Sequence, residues 1–199
     1  MNINIAFQGT INHTQWEPGK TARVEFSRFP TSIAEFRELQ RTLGREPHGA
    51  IALEVMAFEM YRHDGDNGVE CLKLNNTPNN VLSVVNRLRE LYRKNDSYAR
   101  PYQAAVFLKG ASAANGYKPD KPYTVELRVS PVTKYQHSND YGSTMLFIDI
   151  NSNGHQSNWK SVYVVKPAGS EYFLINNNPG MYSQCETLGY GQTWEEMIE

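Results

Sequence analysis

The stretch Pro47-His48-Gly49-Ala50-Ile51-Ala52-Leu53-Glu54-Val55-Met56-Ala57-Phe58-Glu59-Met60-Tyr61-Arg62 decides how this chain folds. Pro47 suits the first turn of a helix, where its missing N–H is no loss. Ile51, Leu53, Val55, Met56, Phe58 and Met60 then lie on more than one face, so the helix is expected to be central and buried. Glu54 and Glu59 interrupt it. A buried carboxylate must find a partner or shift its pKa; a structural ion pair or an exposed edge accounts for either one. The run His63-Asp64-Gly65-Asp66-Asn67-Gly68 breaks the helix.

A shorter helix precedes it. Ser32 with Glu35 three residues on forms a capping box, Ile33, Phe36, Leu39 and Leu43 recur at helical spacing, and Gly44 ends the segment. Beyond the break, Thr77-Pro78 opens a third helix whose Val81, Val84, Val85, Leu88, Leu91 and Tyr92 follow the i, i+3, i+4, i+7 template. Its apolar stripe marks it as a packing element. From Pro101 the character changes. Tyr102 to Leu108 fits a short helix or a strand equally well, and a Gly-, Ala-, Asn- and Pro-rich loop runs from Gly110 to Pro122. Strand-like segments follow at Tyr123–Val129, Thr144–Ile150 and Ser161–Val165, with a fourth at Tyr172–Ile175. At the other end, Ile3, Ile5 and Phe7 alternate with polar or small residues, and so do Ala22, Val24 and Phe26; the two segments suit a hairpin with a long loop.

Strands after a block of helices predict an α+β fold. About three helices should pack on one face of an antiparallel β-sheet, with an N-terminal β-hairpin. The expected organisation is a single domain, 1–199, divided into hairpin 1–28, helical block 31–95, C-terminal sheet 122–176 and irregular tail 177–199. In that tail Thr193 and Glu196 suit the caps of a last turn carrying Trp194 and Met197 inward.

The chain has 199 residues, enough to bury a core without disulfide or metal. Aromatics reach 12%, too much bulk for a disordered chain. The formal net charge is -1, so the basic excess of a nucleic-acid binder is missing and no nucleic-acid partner is expected. The run Arg87, Arg89, Arg93 and Lys94 reads as a solvated helix end. No stretch approaches a membrane span and the first nine residues lack a secretory pattern. With only Cys71 and Cys185, the expected address is the cytoplasm.

The loop residues Leu108-Lys109-Gly110-Ala111-Ser112-Ala113-Ala114-Asn115-Gly116-Tyr117-Lys118-Pro119, followed by Lys121-Pro122-Tyr123-Thr124-Val125, resemble a pattern in a bacterial domain family of unknown function: Gly-Ala-Thr-Pro, Asn-Tyr-x-Pro, then Pro-Tyr. Phe36 to Leu74 and Ser161 to Leu174 are similar too, so the resemblance spans roughly Pro30 to Asn176. Ser112-Ala113 departs from the family's Thr-Pro, and Ser157-Asn158-Trp159-Lys160 stands where an Asp-Ser-Pro-Arg-like run belongs. The resemblance implies a bacterial domain and brings no activity.

The chemistry motifs are weak. Asp149-Ile150-Asn151-Ser152-Asn153-Gly154 matches the first half of a calcium loop, but Lys160 stands where the bidentate Glu belongs, so a β-turn is the better reading. His13, His48, His63, His137 and His155 form no metal-ligand spacing. Cys71 sits in apolar packing; Cys185 lies in a polar tail and is the more reactive in principle. No nucleophile elbow, Walker loop or dinucleotide fingerprint occurs. Loop aromatics remain: Trp16, Tyr117, Tyr135, Tyr141, Trp159, Tyr182 and Tyr190 suit a protein or sugar surface if they gather on one face. Gly110, Gly116, Pro119 and Pro122 stiffen the loop, which either plugs the fold with its tyrosines or walls a pocket.

The function is therefore open. The reading adopted is a non-catalytic binding or protein-interaction domain, with Asn115, Tyr117, Tyr123 and Trp159 as binding residues, no catalytic residues, metal or cofactor, and an unknown protein or small-molecule ligand. A hydrolytic-type enzyme assembled only in the tertiary structure, or a structural subunit, are the alternatives.

Overall fold

A computed structural model describes residues 2–198. Met1 and Glu199, the ends of the expected hairpin and tail, lie outside the described residues. The expected hairpin comprises β1 (Ile5–Gln8) and β2 (Thr21–Phe26). Four helices follow: α1 (Ile33–Leu43), α2 (Pro47–His63), α3 (Gly65–Asn75) and α4 (Pro78–Leu91). The remaining strands are β3 (Tyr123–Val129), β4 (Gln136–Ser138), β5 (Ser143–Asn151), β6 (Trp159–Val165) and β7 (Leu174–Asn177). The architecture is α+β, with an antiparallel sheet of seven strands in the order β1-β2-β3-β5-β6-β7 and β4 paired to β5.

Helix α2 is buried continuously from Pro47 to Met60 and touches β2, β5, β6 and β7. Apolar residues on all its sides demand neighbours on all its sides, which α1, α3 and the sheet provide. The sheet's helix-facing rows follow from its period of two: Ala22, Val24 and Phe26 on β2, Val125, Leu127 and Val129 on β3, Leu146, Ile148 and Ile150 on β5, Val162 and Val164 on β6 are all buried. The opposite face carries polar pairs between neighbouring strands, Arg23 with Glu126 at 3.1 Å and Arg128 with Asp149 at 3.1 Å.

The helix count of about three falls short by one. Residues 65–75 form α3 because the Asp64 side chain, read as part of a break, accepts from the Asn67 N–H and caps a new helix. Gly68 permits the crossing: a Cβ there would lie 2.1 Å from the Tyr61 Cα. Two smaller expectations also change. Tyr102–Leu108 resolves into turns and a 3-10 turn at Ala105–Phe107. Residues 193–198 form no final helical turn, although Trp194 and Met197 do pack against the core. Among the described residues no helix is long and apolar enough to cross a membrane.

Candidate functional site

The crossover loop from the helices to β3 is held in one shape by a single side chain. The Asn115 carboxamide oxygen accepts from the N–H groups of Ser112 (2.9 Å) and Lys118 (3.1 Å), while its NH2 donates to the carbonyls of Gly110 (2.8 Å) and Lys118 (3.1 Å). Tyr117 turns inward from a backbone φ of 56°, stacks on Tyr102 at 4.7 Å, and donates its hydroxyl to the Glu186 carbonyl at 2.9 Å. Burial raises its pKa. Tyr123, the first residue of β3, packs with Phe26 and Phe29 at 5.3 and 5.0 Å between centroids.

The C-terminal segment crosses this loop. Gly189 N–H bonds the Ala113 carbonyl at 2.8 Å, and Lys118 Nζ stands 3.5 Å from Glu195. Its anchor is an ion pair inside the fold: Arg62 meets Glu59 at 2.7 Å with both side chains buried, reaches Glu196 at 3.3 Å, and lies 5.0 Å over the Trp194 ring. Burial holds the Glu59 carboxyl above its usual range despite the guanidinium beside it. Glu59 thus has the structural ion-pair role its place in α2 suggested.

Loop and segment together wall a surface groove of about 440 Å³, lined by Asn115, Tyr117, Lys118, Lys121 and Tyr123 on one side and by Gln192, Thr193, Glu195, Glu196 and Met197 on the other. Three of the four binding residues expected from the sequence therefore meet. Trp159 does not join them. It stands on the helix-free face with Arg128 at 4.3 Å over its ring, beside a depression of about 400 Å³ that Gln8, Arg23 and Glu126 also line. The segment 192–197 was missed as a wall; Glu59 and Arg62, three residues apart on an otherwise apolar helix, were the available signal that something charged docks there.

The reactive side chains lie elsewhere, and the fold uses them. Burial pushes the Cys71 and Cys185 thiols up to about 12, which leaves them protonated and unreactive near neutrality. Ser152, fully buried, is 2.6 Å from His155 Nδ1, and the other ring nitrogen sits 2.9 Å from the Ser183 carbonyl, so this pair ties the β5–β6 turn to the tail. Asp149, first residue of the calcium-like motif, lies within β5 and accepts from Arg128 and Ser161. Glu54 is wholly buried and takes three carboxamide donors, Asn75 and Asn76 at 2.8 Å and Asn178 at 3.0 Å. Asn80 completes the network by donating to Asn76 and Asn178. Burial lifts Glu54 to about 7 against these hydrogen bonds.

The fold and the groove define an α+β protein with a rigid cleft where the helix-to-sheet crossover meets the C-terminal segment. The chain belongs to the family described as Domain of unknown function (DUF6935), which it matches over residues 28–188. The matched span contains the crossover loop and ends before the Gln192–Met197 wall. No curated protein and no solved structure matches the chain.

Proposed function

We propose that this is a non-catalytic bacterial binding domain, acting as one unit, that takes a small ligand of mixed charge in the groove between the crossover loop and the C-terminal segment. One contrast carries the reading. The groove is open, its loop is prearranged by Asn115, and it opposes lysines to carboxylates, while the thiols and the Ser152–His155 pair are spent inside the fold. Prearranged walls lower the ordering cost of binding. Tyr123 and the Lys121 ammonium, 5.7 Å over its ring, offer one face to the ligand; Asn115 and Tyr117 act as frame, and Trp159 is left to the open sheet face. Two free thiols support residence in a reducing cytoplasm. The net charge speaks against nucleic acid as the partner.

The test is a thermal-shift screen against amino acids, nucleotides, sugars, metals and cofactors. A ligand at 100 times its Kd stabilises by about 2.7 kcal/mol, which for a chain of this size raises Tm by about 5–10 °C. Lys121→Ala and Gln192→Ala should abolish the shift while leaving the unliganded Tm within about 1 °C. Silence across the panel, or a shift that survives both substitutions, would remove the small-ligand reading.

A further inference from the structure

The two ends of the sheet are finished differently. At β7 the edge is covered: the Thr77 N–H bonds the Ile175 carbonyl at 2.9 Å, and Asn76 makes a parallel bridge to the same residue. At β1 it is open. In the β1–β2 register Ile5 pairs with Phe26 and Phe7 with Val24, while the Ser27 N–H bonds the Asn4 carbonyl. Alternation in an antiparallel ladder then directs Asn4, Ala6 and Gln8 at β2 and turns the N–H and C=O of Ile5 and Phe7 outward. No printed proline or lysine device blunts this edge: the run is Ile5-Ala6-Phe7-Gln8.

Beside the edge runs a groove formed with α1. One part, about 360 Å³, is lined by Ile3, Ile5 and Leu39; the other, about 400 Å³, by Phe7, Gly9, Arg41, Arg45 and His48; Thr42 borders both. His48 gives an independent sign of a missing partner. It is 1% exposed, its ring meets the Phe7 ring at 5.1 Å, and neither ring nitrogen has a hydrogen-bond partner among the described residues. Buried polar atoms are rarely left so.

We infer that the β1 edge and its groove accept an extended peptide segment of a partner protein as an added strand, with alternate apolar side chains toward Ile3, Ile5 and Leu39 and an acidic group at the Arg41–Arg45 end. The outward backbone groups supply strand-to-strand hydrogen bonds and the groove supplies side-chain selection, the division of labour in strand addition. Near the Phe7 end, an acceptor or donor from the incoming segment satisfies His48. Arg41 and Arg45 are held only by exposed surface pairs, to Glu38 at 2.7 Å and Glu171 at 3.6 Å, which an incoming carboxylate can replace. This site is separate from the loop groove.

The experiment pans a phage-displayed random octapeptide library on the full chain and measures the enriched peptides by fluorescence anisotropy. The expected peptides alternate apolar residues and carry Asp or Glu at one end. Phe7→Pro deletes an outward N–H without touching the β1–β2 ladder, and Thr42→Trp fills the groove from α1; each should weaken binding by about tenfold or more, whereas Phe7→Val keeps the N–H and retains it. Bound peptide should slow hydrogen exchange at the Ile5 and Phe7 amides. Enrichment without alternation, or affinity unchanged in both Phe7→Pro and Thr42→Trp, overturns the inference. So does protection of those two amides that grows with protein concentration alone, which would make the edge a contact between copies of this chain.

Discussion

Gly116 shows how closely the groove is built. Its φ is 71°, in the left-handed region, and a Cβ there would lie 2.2 Å from the Thr193 carbonyl oxygen. Gly116→Ala should therefore strain the loop and push the C-terminal segment away, costing about 1–3 kcal/mol. Limited proteolysis should then cut within residues 189–198 faster than in the wild type; an unchanged cleavage rate would show that the segment is not held by this contact. Asn115→Ala deletes four hydrogen bonds whose partners can turn to water, and a loss of about 1–2 kcal/mol in urea unfolding is expected. The stiffness of the loop was legible in its glycines and prolines. Where the Asn115 carboxamide and the Tyr117 hydroxyl would spend their bonds was not, because Glu186 lies 69 residues from Tyr117 and meets it only after the tail folds back.

At the scale of elements, α2 and α4 were readable because helical periodicity is a property of neighbouring residues. Helix α3 was not: Gly65, Asp66, Asn67 and Gly68 are poor helix formers, and packing of Gly68 on Tyr61 overrides that preference. Gly68→Ala tests which effect wins. Propensity alone would stabilise α3 by about 1 kcal/mol; the 2.1 Å approach to the Tyr61 backbone predicts a net loss instead, read as a lower urea midpoint. The union of α2 with the C-terminal segment rests on Glu59 and Arg62. Arg62→Met leaves a buried carboxylate unpaired and should cost about 3–5 kcal/mol. Adding Glu59→Gln removes that charge and should restore a large part of the loss; a strictly additive double variant would show that the two side chains act independently.

For the whole molecule, buried ionisable groups set the pH dependence of stability, and they pull in opposite directions. Glu54 moves from an ordinary 4.5 to about 7, so its stabilisation is full below pH 4.5 and is lost as pH rises through 7. His48 moves from 6.5 down to about 4 by burial, so its contribution is full above pH 6.5 and is lost as pH falls through 4. Each is on the order of 3 kcal/mol, and across pH 4.5–6.5 they offset each other. Glu54→Gln should therefore lose stability on acidification through this window, and His48→Gln should gain it, both more steeply than the wild type when Tm is followed against pH. A Glu54→Gln profile parallel to the wild type would mean that Glu54 titrates as an ordinary carboxylate. The sequence by itself determined the α+β class, the hairpin, the buried central helix and the stiff crossover loop, since these follow from local periodicity, capping and turn chemistry. Only the tertiary structure decided the groove, the open β1 edge and the setting of Glu54. Those depend on residues far apart in the chain, such as Asn80 and Asn178, that meet when a helical layer and a sheet close over one core.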